Sequence, residues 1–198
     1  MIRIPPLRHA LRAGLLLTGL AVVVPCAHGR DIEVPVETQV QAFGGIWGYD
    51  RAHEDRLAGG LVIGVVYQSQ VRASLLASEA FADHRSVLEA AFGDVRIVAI
   101  DYTGPLDLAD RIRGERVDIV YVAPLRAVAV DAIPEVTRTL GVLSTTGVPE
   151  YVELGLAMGI ELSDGSAGIV INRDAATAEG AHLRSQLLKL ARLVGGAP

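Results

Sequence analysis

Seven residues, Leu61-Val62-Ile63-Gly64-Val65-Val66-Tyr67, run without a charge between Gly59-Gly60 and Gln68-Ser69-Gln70. A stretch this short and this rich in β-branched residues is a strand. Because it is apolar on both faces, it belongs inside a parallel sheet covered by helices on each side. The arrangement repeats downstream. Val71 to Phe92 reads as one long helix ending at Gly93, a suitable residue just past a helix C-terminus. Val95 to Ile100 is a second strand, Leu106 to Arg113 a short helix and Val117 to Val122 a third strand. A helix to about Val130 comes after Ala123-Pro124. Thr139 to Leu143 is a fourth strand, and Pro149 opens a short helix through Leu154. Alternating strands and helices impose right-handed crossovers and a parallel sheet. The predicted fold is α/β, a flavodoxin-like three-layer sandwich with strand order about 2-1-3-4-5.

Both ends add to this body. Leu156–Leu162 and Gly168–Asn172 flank Ser163-Asp164-Gly165-Ser166, an Asp-Gly hairpin signal, so the last strand is expected antiparallel to the fifth. Beyond it, Leu183, Leu187, Leu190 and Val194 fall on one helical stripe, with Arg184, Gln186 and Arg192 to solvent. That pattern predicts a long closing helix. Near the start, Val36, Val40, Phe43 and Trp47 predict an extra N-terminal helix outside the α/β body. Gly44, Gly45 and Gly48 each weaken it by about 1 kcal/mol relative to Ala. Its aromatics, Phe43 and Trp47 with Tyr49, are either core packing or a partner or dimer surface, where such residues are favoured.

Met1 to Gly29 reads as a signal peptide. Arg3, Arg8 and Arg12 precede the apolar run Ala13–Val24, and Ala27-His28-Gly29 supplies small residues before a cut. The run is too short to span a bilayer, which needs about 20 apolar residues. A lipid anchor at Cys26 is disfavoured by the Val23-Val24-Pro25 that precedes it. Cleavage removes three arginines and no acid, taking the formal charge from −5 to −8, and removes the chain's one cysteine. The expected product is periplasmic, without a membrane span, free of disulfides, and too acidic to suit a nucleic-acid partner. Its divisions are 1–29, the signal; 30–60, a leader, the N-terminal helix and a polar linker; and 61–198, one α/β domain.

Open α/β sheets bind ligands beyond the carboxyl ends of their strands, where strand order reverses. Those ends carry Tyr67, Gln68 and Ser69, then Asp101 and Tyr102, then Ser144, Thr145 and Thr146. This set of hydroxyls and amides with one carboxylate suits a small polar ligand, although such residues also cap helices and form turns. Asn172 is expected to cap the helix after the last strand, and Asp174 to sit in its first turn. Catalytic and cofactor signatures are absent from the sequence. His53, His84 and His182 stand apart without metal-ligand spacing, Glu54-Asp55 lies in a polar linker, and no Gly-x-Ser-x-Gly run occurs. Tyr67-Gln68-Ser69-Gln70 has no glycine with which to cradle a phosphate. No metal and no cofactor are expected.

The closing residues Ile171-Asn172, Ala175, Gly180 and Ser185-Gln186-Leu187-Leu188-Lys189-Leu190-Ala191 resemble the end of the YfiR family of periplasmic regulatory proteins. Phe43, Trp47, Tyr49 and Asp50 are the nearest equivalents of that family's N-terminal aromatics. The resemblance covers approximately Val40 to Val194. It implies a non-enzymatic regulator that acts on an inner-membrane diguanylate cyclase, or a sensor kinase, through the partner's periplasmic part, with a homodimer expected. Family members can carry disulfides; the mature chain here has no cysteine, which removes thiol redox sensing. A second reading is a small-molecule-binding protein resembling one lobe of a transporter-associated periplasmic binding protein. An exported hydrolase ranks third, for want of a nucleophile–base pair.

Overall fold

The computed structural model describes residues 34–52, 59–126 and 130–195. The signal segment with Cys26, His53, Glu54-Asp55 and the centre of the expected helix before Val130 lie outside these residues. In chain order the elements are α1 (Val36–Ile46), a 3-10 turn (Trp47–Tyr49), β1 (Leu61–Tyr67), α2 (Arg72–Asp83), α3 (Arg85–Phe92), β2 (Val95–Asp101) and α4 (Pro105–Glu115). Then come β3 (Ile119–Val122), α5 (Ile133–Leu140), β4 (Leu143–Thr146), α6 (Pro149–Glu153), β5 (Met158–Ser163), β6 (Ser166–Asn172), α7 (Arg173–Ala178), α8 (Ser185–Leu190) and β7 (Arg192–Val194).

One seven-stranded sheet runs β2-β1-β3-β4-β5-β6-β7. The first five strands are parallel, β6 is antiparallel to β5, and β7 is parallel to β6. The expected strand order and the antiparallel hairpin are therefore both present. Side chains alternate between two cores. Ile63, Val65, Ile119 and Tyr121 face one layer, and Val66, Val120 and Val122 the other. Gly64 is needed where β1 crosses the second layer, since a Cβ there would come within 3.0 Å of Ile100 and Val117.

Besides the fourth strand, which begins only at Leu143 because Thr139 and Leu140 close α5, three expectations about elements need correction. The helix predicted over Val71–Phe92 is two helices broken at His84. Its ring Nδ1 lies 2.7 Å from Ala80 O, the carbonyl that a continuous helix would offer to the His84 N–H. The long closing helix does not form either. Gly180 takes φ +79°, α8 has six residues, and Ala191 is already extended. Leu187 is buried, but Leu190 is 73% exposed. Arg192–Val194 instead pair with Val170–Asn172, satisfying backbone groups that β6 would otherwise leave open. The Arg192 guanidinium, bonded to Glu161 at 2.7–3.0 Å, holds the added strand in place.

The third correction concerns α1, which is not outside the body. Phe43 and Trp47 are 0% and 2% exposed, so neither offers a partner or dimer surface; Tyr49, at 40%, is open. Phe43 stacks on Trp47 at 5.3 Å and meets Tyr121 edge-on at 6.1 Å, while Phe81 stacks on Tyr121 at 4.3 Å. Each pair made by Phe43 contributes about 0.5–1.5 kcal/mol beyond area burial, comparable to the cost of the glycines of α1. Gln39 adds a polar anchor: its Nε2 donates to Val34 O at 2.7 Å and its Oε1 accepts from the Tyr121 hydroxyl at 2.8 Å. Its amide fills the space that any side chain at Gly147 would need.

Candidate functional site

At the carboxyl ends of β1 and β2 the chain turns into α2 and α4, and the two loops border a crevice of about 220 Å³. Gln68, Ser69, Asp101 and Tyr102, all anticipated, line it together with Gln70, Val71, Thr103 and Arg126. The loop after β1 is tied down by side chains. The Gln68 N–H donates to Ser74 Oγ at 2.9 Å, the Ser69 N–H donates to Asp101 Oδ1 at 3.0 Å, and Gln68 Oε1 accepts from the Arg126 N–H at 2.9 Å. Burial pushes the Tyr102 phenol above its ordinary pKa, so it stays a neutral donor. Tyr67 is not a lining residue. It packs, partly buried, against the hydrophobic core, and its carbonyl accepts from the Tyr102 N–H at 2.7 Å, which holds the two loops side by side.

Ser144, Thr145 and Thr146 are not brought to this crevice. All three are strand residues of β4 with no exposure. The Thr145 and Thr146 hydroxyls donate to Val120 O at 3.0 Å and Val122 O at 2.9 Å, bonding β4 to β3 through side chains as well as backbone. The Ser144 hydroxyl accepts from the Ala157 N–H at 2.8 Å and donates to the carboxyl of Glu179. Glu179, immediately after α7, is fully buried. It also accepts from the Ser144 N–H at 2.7 Å and lies 2.6 Å from the Thr137 hydroxyl. Burial pushes its pKa up to about 7, against the opposing pull of these hydrogen bonds and of Arg138. The Thr137 hydroxyl, which donates to Glu179 Oε1, also lies 3.2 Å from Ile133 O and Pro134 O.

A second cavity, of about 240 Å³, opens where the two ends of the chain meet. Asp50 pairs with Leu183 as an antiparallel bridge. The His182 N–H donates to Asp50 Oδ1 at 2.7 Å, the Arg51 N–H to His182 O at 3.1 Å, and the Arg184 N–H to Tyr49 O at 3.0 Å. Around this junction Ala176, Ala181, Leu183 and Leu188 form an apolar floor, and Arg51, Arg173 and His182 stand at its rim. Asn172 caps α7 as expected, its Oδ1 accepting from the Ala175 N–H at 3.0 Å, and this places Arg173 on the first turn. In the sequence Arg173 stands out only as part of a helix start. Nothing in its neighbourhood along the chain points to Arg51, 122 positions away. Among the described residues no group of three His, Cys, Asp or Glu could hold a metal ion.

A model of YfiR/HmsC-like proteins matches residues 49–192. The chain belongs to the YfiR/HmsC-like family. The matched segment begins at Tyr49 and contains both cavities, with α1 lying before it. Comparison with curated proteins returns no match. Among solved structures, an ABC domain from Streptococcus pneumonia in complex with L-Trp aligns with TM-score 0.56 and 16% identity over 81% of this chain and 62% of that one. A conserved domain protein from Vibrio cholerae aligns with TM-score 0.58 and 17% identity over 80% and 60%. A ligand-free, open substrate-binding protein with adhesive properties from Clostridium difficile gives 0.51 and 15% over 74% and 58%. This YfiR/HmsC-like chain thus spans about three-fifths of the length of those structures and shares their α/β fold. Among the described residues no helix is long and apolar enough to cross a membrane.

Proposed function

We propose that this chain is an exported, non-enzymatic regulator. In this reading it reaches the periplasm on its signal segment, acts as a homodimer, and holds a diguanylate cyclase or sensor kinase of the inner membrane inactive by contact with that protein's periplasmic part. A small polar ligand in the strand-end crevice tunes the contact. Such tuning requires that the ligand bind the free and the partner-bound forms with different affinity. The observation that carries the reading is family membership across residues 49–192. Tyr49 is the aromatic left for a partner after Phe43 and Trp47 are assigned to the core. The test is co-isolation of the mature protein with membrane proteins, beside cyclic di-GMP levels in a deletion strain. Recovery of a cyclase or kinase, reduced by Tyr49→Ala, is the expected result. Recovery of no signalling protein, with cyclic di-GMP unchanged on deletion, would overturn it.

A second reading, a small-molecule-binding protein that works as one lobe of a transporter-associated system, is favoured by the fold it shares with the substrate-binding structure. It requires tight ligand binding with no membrane signalling partner, so the same co-isolation separates the two.

A further inference from the structure

Two charges of opposite sign border the strand-end crevice without meeting. Asp101, at the end of β2, and Arg126, beyond β3, both line the cavity, and no ion pair within 4.0 Å joins them. Each is anchored by the same loop. The Ser69 N–H holds Asp101 Oδ1, and Gln68 Oε1 holds the backbone N–H of Arg126. That loop is fixed in turn by Ser74, which is fully buried. Among the described residues nothing else bonds to the Asp101 carboxylate, and no carboxylate pairs with the Arg126 guanidinium. Elsewhere on the surface such side chains do find each other, as Arg85 does with Glu89 at 2.7 Å and Arg96 with Glu115 at 2.8 Å. The crevice therefore presents a negative and a positive pole on a pre-set frame, with neutral hydroxyls and amides from Ser69, Gln70 and Tyr102 beside them.

We infer that the crevice binds a small zwitterion, with the chemistry of a free amino acid. Asp101 takes the ammonium group, and the guanidinium fork of Arg126 takes the carboxylate, whose two oxygens it matches geometrically. The limited volume and the polar lining select a short, polar side chain. A neutral sugar could donate hydroxyls to Asp101 but would bring no charge to Arg126, and a simple anion would meet Asp101 unfavourably. The inference names the ligand class of the tuning site proposed above, and it rests on that reading for its consequence but not for the binding itself.

The test is calorimetric titration of the mature protein with the standard L-amino acids and with γ-aminobutyrate, whose charges stand further apart. For the best binder, the matching hydroxy acid removes the ammonium and the matching amide removes the carboxylate. Loss of either charge is expected to weaken binding roughly thirtyfold, and Asp101→Asn or Arg126→Gln about tenfold with the melting temperature unchanged. A preference for α-amino acids over γ-aminobutyrate, or the reverse, then fixes the spacing of the poles. Absence of binding at millimolar concentration would overturn the inference. So would equal binding of the amide, or binding abolished by Arg51→Gln and kept by Asp101→Asn. Failure here with the membrane partner still recovered removes the ligand class alone, whereas failure of co-isolation removes the regulatory reading.

Discussion

The strand-end crevice and the Glu179 cluster use the same kinds of side chain in opposite ways. Around Glu179, the hydroxyls of Thr137 and Ser144 and the backbone N–H groups of Ser144 and Ala157 are all taken up within the protein, in a region without exposure. Around Asp101 the carboxylate accepts one backbone N–H and keeps its remaining capacity for something outside. A buried polar group must be satisfied by the fold itself, because leaving it unpaired costs about 1–3 kcal/mol. An exposed one can wait for a partner. The first cluster therefore belongs to stability, and the second is left open for the binding proposed above, although both are Ser, Thr and an acid near the ends of parallel strands.

Substitution separates the two most sharply. Glu179→Ala, measured at pH 5 where the carboxyl is protonated, leaves the Ser144 N–H and hydroxyl without their acceptor and is expected to lower unfolding stability by about 4 kcal/mol in urea titration. Ser69→Ala and Asp101→Asn are expected to stay within about 0.5 kcal/mol of the parent. A crevice variant as damaging as Glu179→Ala would break the comparison.

The next effect is in pH. Glu179 has its folded pKa raised from 4.5 to about 7, so the folded state binds more protons than the unfolded one between those values. Stability from this group is full below pH 4.5 and falls as pH rises through that window, by roughly 3 kcal/mol in all. Glu179→Gln should remove that slope, as read from urea midpoints at pH 5 and pH 8. An unchanged slope would place the dependence elsewhere.

Smaller still is the charged clamp on β7. Arg192 lies about half-exposed between Glu161 and Glu153, so Arg192→Ala is expected to lower stability by about 1 kcal/mol or less, an effect that shrinks in high salt. A loss comparable to that from Glu179→Ala would show that the outer strand contributes as much as the interior cluster.

Much of the sheet was legible because continuous apolar runs have few alternatives: β1 and β3 could only be buried strands, and Asp164-Gly165 could only turn between two more. The crevice was half legible for the same reason, since Gln68, Ser69, Asp101 and Tyr102 follow strands whose ends were clear. Ser144–Thr146 were misplaced because β4 extends through Thr146, and strand propensity does not say where a Ser-Thr-Thr run stops being strand. Glu179 gives little sign of burial in the sequence, being one acid beside a glycine. The one clue was the small-residue run Ala175-Ala176-Thr177-Ala178 before it, which lets a helix end sink against the sheet. Gln39 had a clearer signal, standing four residues before Phe43 on the apolar stripe of α1. The closing helix failed because three residues of strand pairing outweighed helical periodicity, and pairing partners distant in the chain are invisible to a local pattern.

The bridge between Asp50 and His182-Leu183 joins segments 132 positions apart. A chain synthesised or delivered N-terminus first cannot make it until His182 and Leu183 have arrived. The cavity rimmed by Arg51, Arg173 and His182 is thus absent from every shorter intermediate. Arrival of His182 and Leu183 is, for this molecule, the event that brings the two segments into register.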